Sequence, residues 1–352
     1  MRRDREWKLF LDLCAPLSHE ISDLPEPNEW ARMLGRLEQT RFGALAYHNL
    51  RARGLDDAVP AQAMADLRAA NAQALARYHL LGEMVSPHLE VLAREVDFLV
   101  LKGTAWAHTV YAEPHLRQSG DIDLLVRGEH QAGATRVLEG RGFGIRWGRW
   151  RDHGPTCSLA IRGGSAICIE LHPDLSQPSR YPHLRGSESA DRAFEHYIWG
   201  CRLRLCALEL GCLQAVFQLA WRLRTGGYAR YLVDFLQLPS AVGFDGEWFD
   251  SLVRASGARG LRYCGTALLG AEATPRPHRV AIAATWVFGR GLSCPWGRNS
   301  RLLRAVSALG SVTLWDRWDD RFRHFYGYLR AVPSWARREW EWPSRQERRT
   351  RS

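Results

Sequence analysis

The spacing of apolar and polar positions changes period along this chain. Up to about residue 95 it is helical. Leu81, Met84, Val85, His88, Leu89 and Leu92 fall at i, i+3, i+4, i+7, i+8 and i+11 of one stripe. Pro87 sits inside that stripe and predicts a kink or a split. Earlier helices are expected over residues 7–17 and 30–53, separated by residues 23–28, which hold Pro25 and Pro27. From Val96 the runs shorten and become β-rich. Residues 97–101, 122–126, 143–147, 157–161 and 166–171 read as strands, and residues 104–111 and 130–139 as helices between them. Arg162-Gly163-Gly164 reads as a hairpin turn. After Pro182 helical spacing returns over residues 203–224, 231–238, 249–269 and 301–330, while residues 274–295 suit no single element.

These shifts predict an α+β protein with a mixed β-sheet core between two helical parts. The helical N-terminal region is 1–95, the α/β core 96–180, the helical C-terminal region 181–340, and the polar tail 341–352 reads as disordered. At 352 residues the chain is long enough for one large or two to three modest domains. Its eight cysteines form no CxxC pair and no zinc spacing, and several lie in apolar runs, as buried thiols of a reducing compartment do. The first six residues are charged, and the longest later apolar run, residues 280–288, falls short of the roughly 20 residues a membrane helix needs. A soluble, cytoplasmic protein without a transmembrane segment is expected. The net charge is +10, and lysine occurs only at positions 8 and 102, so arginine supplies nearly all of the 48 basic residues. Against that background Lys102, before a glycine at a strand end, stands out as a place for a compact ammonium.

The candidate chemistry lies close by. Asp121 and Asp123 flank Ile122, and strand alternation sends both carboxylates to one side. Two repelling carboxylates on a rigid element suit a hard divalent cation, Mg²⁺ or Mn²⁺. Glu170 shares a strand face with Ala166 and Cys168; locally it reads equally well as a third ligand or as an edge residue meeting solvent. With three carboxylates, one cation would grip the triphosphate of a nucleotide, and a second, roughly 3.5–4 Å away, would activate an attacking hydroxyl. Lys102 would neutralise phosphate oxygens. The backbone N–H groups of Gly103 and Thr104, at the mouth of a helix, would bind phosphate. Arg117 and Ser119, in the loop before Asp121, are candidates for phosphate or sugar contacts. Each feature also has a plain structural reading: a lone DxD is common, and Arg117 is equally a loop residue or a partner of Asp121.

Leu101-Lys102-Gly103, Tyr111, Arg117, Asp121-Ile122-Asp123-Leu124-Leu125-Val126 and Glu170-Leu171-His172 together resemble the nucleotidyltransferase fold of the DNA polymerase β superfamily. They are most similar to an uncharacterised bacterial branch that carries Leu-Lys-Gly where other members have Gly-Ser. Tyr231-Leu232-Val233-Asp234 is similar too, so the resemblance covers roughly residues 30–240. It implies that Glu170 is the third catalytic and metal-binding carboxylate beside Asp121 and Asp123. It further implies transfer of a nucleoside monophosphate from a nucleoside triphosphate to an unknown acceptor, a small molecule, peptide or protein, in a setting such as peptide or polysaccharide biosynthesis.

Two other readings compete. A DxD glycosyltransferase would hold a nucleotide sugar through Mn²⁺, yet would need neither Lys102-Gly103 nor Glu170. A non-catalytic protein of the same fold would bind a nucleotide or a partner without releasing pyrophosphate. Trp315, Trp318, Trp335, Trp340 and Trp342 lie among arginines and could stack bases, but Asp316, Asp319 and Asp320 dilute the charge, and nucleic-acid binding is the less favoured reading. His172 reads as orienting Glu170 or as structural, and Asp234, four residues after Arg230, as half of a helical ion pair.

Overall fold

The computed structural model describes residues 2–21, 23–146, 154–160, 166–175, 191–225, 229–256 and 258. Four helices come first: α1 (Arg2–Cys14), α2 (Trp30–Thr40), α3 (Gly43–Ala52) and α4 (Ala61–Glu95). The helix expected over residues 30–53 is two helices. Arg41 takes a left-handed φ of 61° and caps α2, its N–H bonding the carbonyls of Leu37 and Glu38. Pro87 does not divide α4, which runs unbroken for 35 residues. The proline and Glu83, whose carbonyl it leaves without a helical donor, both lie on the exposed face. The stripe found in the sequence is the buried one, with Val85, Leu89 and Leu92 in the core.

The α/β part follows as β1 (Phe98–Leu101), α5 (Lys102–Thr109), β2 (Ile122–Val126), α6 (Gly128–Gly140), β3 (Gly144–Arg146), β4 (Thr156–Ala160) and β5 (Ala166–His172). Then come β6 (Phe194–Ile198), β7 (Cys201–Leu205), α7 (Leu208–Thr225), α8 (Ala229–Gln237) and α9 (Gly246–Ala255). The fold is α+β: among the described residues nine α-helices surround one seven-stranded mixed sheet, ordered β3-β4-β5-β2-β1-β7-β6. β2 runs parallel to β5 and antiparallel to β1, and β1 runs parallel to β7. Every residue of β1 and β2 is buried, so both faces of the sheet centre are covered. No helix among the described residues is long and apolar enough to cross a membrane.

The hairpin of β6 and β7 corrects the helix expected from residue 203, which begins only at Leu208. Leu203 and Leu205 turn inward while Arg202 is exposed, a two-residue period over too few residues to stand out beside the apolar helix that follows. Trp199 and Gly200 link the strands with both φ angles positive, 48° and 80°, as a tight right-twisted hairpin requires. The expected turn at residues 162–164, the tail, and the helices expected beyond residue 258 lie outside the described residues.

Candidate active site

The site gathers where β1 passes into α5 and where β2 lies beside β5. The parallel register sets Asp123 against Glu170 and Leu125 against His172. On β5 the inward residues Ile167, Ile169 and Leu171 are buried, leaving Cys168, Glu170 and His172 on the more open face. One oxygen or nitrogen each from Asp123, Glu170 and His172 lies within 4.8 Å of the others, a spacing that could hold a metal ion. Asp121 stands just ahead of β2. Burial raises its pKa above the ordinary value, and the nearby Asp123 and Glu170 charges raise it further, so the three carboxylates feel one another.

Lys102 answers that negative charge. Its Nζ donates to Asp123 Oδ1 at 2.5 Å and lies 3.3 Å from His172 Nε2, which is itself 2.7 Å from the same oxygen and 3.5 Å from Glu170 Oε2. Burial alone would raise the Asp123 pKa, but Lys102 and His172 outweigh it and hold the group far below the carboxylate range. The hydrogen bond from His172, stronger than the effect of burial, lowers Glu170 as well. Lys102 has a left-handed φ of 51°, a conformation that costs a non-glycine residue about 1–3 kcal/mol and aims its side chain at the carboxylates. Gly103 is needed for a different reason: a Cβ there would stand 3.0 Å from Ser119 Oγ and 3.5 Å from an Arg117 nitrogen. The helix start is thereby pressed against the loop that leads to Asp121.

Of the loop residues, Ser119 donates from Oγ to the Asp121 carbonyl at 2.7 Å and braces the turn. Arg117 is buried and forked on Asp234 of α8, with Nε–Oδ1 at 2.6 Å and Nη2–Oδ2 at 2.7 Å. Tyr111 Oη completes this network on Asp234 at 2.7 Å. Asp234 is thus structural, although its charge partner is Arg117, 117 residues away, and not the neighbouring Arg230. Arg230 instead donates to the Gln118 carbonyl, and its buried Nε has no hydrogen-bond partner among the described residues. Burial, then the proximity of Arg117, pushes its pKa down to about 10. Arg41 approaches Gly120, its Nη1 standing 3.5 Å from where a Cβ there would lie. Arg230 of α8, expected only as a partner of Asp234, and Arg41, the residue that caps α2, reach this loop from elements distant in sequence. Lysine scarcity drew attention to Lys102, but in a chain this rich in arginine nothing local marks these two.

The residues fit a divalent cation. Asp123 and Glu170 offer hard oxygen donors at metal-ligand spacing with His172, Lys102 already stabilises the Asp123 charge, and Asp121, made costly to ionise by burial and then by these two neighbours, stands beside that group. A carboxylate cluster at the end of a mixed sheet, beside a helix N-terminus and near Arg41 and Arg230, is the candidate active site. Residues 26–271 match the family described as uncharacterised nucleotidyltransferase, and the chain belongs to that family. It is accordingly an enzyme of the nucleotidyltransferase class. No curated protein matches it in sequence. Among similar solved structures is an antigenic nucleotidyltransferase-like protein from Paracoccidioides brasiliensis, at 16% identity and a TM-score of 0.35 over 55% of this chain and 94% of that one. Another is the antibiotic-resistance factor ANT(2'')-Ia in solution, at 15% identity and a TM-score of 0.37 over 54% of this chain and 94% of that one. A third is ANT(2")-Ia in complex with adenylyl-2"-tobramycin, at 15% identity and a TM-score of 0.34 over 51% and 98%.

Proposed function

We propose that the protein transfers a nucleoside monophosphate from a nucleoside triphosphate to an acceptor, with pyrophosphate leaving, and that Asp121, Asp123 and Glu170 hold Mg²⁺ or Mn²⁺ for this reaction. The observation that carries the reading is the β2–β5 register, with Asp123 beside Glu170 at the sheet end where Asp121 and the start of α5 also lie. When bound, the cation supplies Lewis-acid stabilisation of phosphoryl oxygens and lowers the pKa of an attacking hydroxyl. The chain's own residues do the rest. Gly103 and Thr104 offer backbone N–H groups at the positive end of α5. Lys102 keeps donors beyond the one given to Asp123, and these suit phosphate oxygens. Arg117 is already matched by Asp234, so its part is to hold the loop; Arg230 and Arg41 supply positive charge toward the phosphates instead. Ser119 fixes the Asp121 backbone, and His172 positions Asp123 and Glu170.

The acceptor bears a nucleophilic hydroxyl or phosphate and is a small molecule, peptide or protein. Incubation with labelled nucleoside triphosphates, Mg²⁺ and cell extract should label an acceptor, and Asp123→Asn should abolish the labelling while the protein stays folded. Lys102→Ala should weaken a non-hydrolysable triphosphate about ten- to a hundredfold, and a diphosphate less. Pyrophosphate release undiminished by Asp123→Asn would overturn the assignment. Equal losses for both nucleotides would confine Lys102 to the carboxylates.

A further inference from the structure

Arg117 has its carboxylate in Asp234, but three other arginines around the same loop have none. Arg230 of α8, Arg41 at the end of α2 and Arg77 of α4 make no ion pair among the described residues. They form a row that starts beside the carboxylates. Arg230 lies close enough to Asp121 to oppose, with Lys102, the burial that raises its pKa, and it donates to the Gln118 carbonyl. Gln118 Nε2 reaches the Arg41 carbonyl at 3.5 Å, and Arg41 Nη1 stands 3.5 Å from where a Gly120 Cβ would lie. Arg77 ends the row, lining a cleft with Arg117, Gln118 and Ser119. Arg230 is half-buried, whereas Arg41 and Arg77 are exposed.

Neighbouring guanidinium groups repel one another, and these have little to offset it. Burial and then Arg41 lower the Arg77 pKa, with no carboxylate acting the other way. For Arg230, burial and Arg117 outweigh the pull of Asp234, and Arg41 adds to the depression. All three stay protonated at neutral pH, because arginine titrates far above it. Three cations brought together without counter-charges are stabilised by an oxyanion, and forked guanidinium donors match phosphate oxygens. In nucleotidyl transfer as proposed, the triphosphate meets the cation, Lys102 and the mouth of α5, with Arg230 and Arg41 beside it. Arg77 carries positive charge past that need. We propose that Arg77, with Arg41, binds a phosphate monoester on the acceptor, so that the protein nucleotidylates a molecule already phosphorylated. The proposal deepens the nucleotidyl-transfer reading and rests on it. The phosphate is an anchor and takes no part in the bond changes. The acceptor's nucleophilic oxygen bonds to the α-phosphorus, and the bond from that phosphorus to the bridging oxygen breaks. Pyrophosphate leaves, and the hydroxyl proton passes to solvent.

The binding test follows inorganic phosphate by phosphorus NMR, with the full chain, Mg²⁺ and a saturating non-hydrolysable triphosphate. Phosphate should still bind. Arg77→Gln should weaken it about three- to tenfold while triphosphate affinity stays within about twofold. Arg68→Gln, nine residues earlier and half a turn round α4, removes an equal charge and should change neither. Phosphate displaced by the triphosphate would assign the row to the nucleotide and overturn the proposal. So would a loss in Arg68→Gln equal to that in Arg77→Gln, or Arg77→Gln binding phosphate as the wild type does. A second arm uses the acceptor itself. Cell extract treated with immobilised phosphatase, then freed of it, should no longer be labelled by the wild type, whereas untreated extract should be. Equal labelling of both extracts leaves nucleotidyl transfer standing and sinks the phosphorylated acceptor. Labelling of neither sinks the transfer reading and this proposal with it.

Discussion

Asp234→Asn is expected to destabilise the fold by about 3–5 kcal/mol, the usual cost of removing one partner of a buried ion pair. Asp234 is 0% exposed and Arg117 5%, so neither charge has water to fall back on. Three hydrogen bonds end on the carboxylate: from Tyr111 Oη at 2.7 Å, Arg117 Nε at 2.6 Å and Arg117 Nη2 at 2.7 Å. Asparagine keeps the shape but turns an acceptor into a donor facing the guanidinium, and leaves that cation uncompensated. Against a typical total stability of about 5–15 kcal/mol the loss is large. Tyr111→Phe removes one hydrogen bond to a charged group and should cost less, about 1.5–3 kcal/mol. The double variant Arg117→Met, Asp234→Leu removes both charges together and should recover most of the stability. Its transfer activity should stay low, because nothing then ties the loop before Asp121 to α8. Urea unfolding with a common slope measures each term, and acceptor labelling measures the loop. A loss under about 1 kcal/mol for Asp234→Asn, the scale of an exposed pair, would refute the reasoning, as would a double variant no more stable than the single.

Two further outcomes are expected. Asp121→Asn should raise the melting temperature without divalent cation at pH 7. The folded-state pKa of Asp121 is raised, so its ionised form is penalised above the carboxylate range and the penalty fades as pH falls toward it. Melting curves from pH 7 down to pH 4.5 should show the gain shrinking, and a gain that grows on acidification would contradict the assignment. Gly103→Ala should lower activity more than stability, since its Cβ would press on Ser119 Oγ, which holds the Asp121 carbonyl. Thermal melting beside turnover checks this, and a large melting loss with normal turnover per folded molecule would count against it.

Period and alternation are local properties, and they carried far here. Strand β2 occupies residues 122–126, as alternation around Asp121-Ile122-Asp123 predicts, and helix α6 ends at Gly140, as expected. The apolar stripe of α4 is the buried one. The hairpin of β6 and β7 escaped because five-residue strands hold too few periods to be told from the helix beside them. What only the tertiary structure decided are the pairings between distant residues. The register of β2 on β5 sets Asp123 beside Glu170, and loop closure carries Asp234 to Arg117 across 117 positions. Arg230 reaches the Gln118 carbonyl from α8, and Trp199 reaches α4 from a turn. A side chain's charge and its local spacing are written along the chain. Which opposite charge it meets depends on packing that draws on every element at once, and that packing exists only in the folded state.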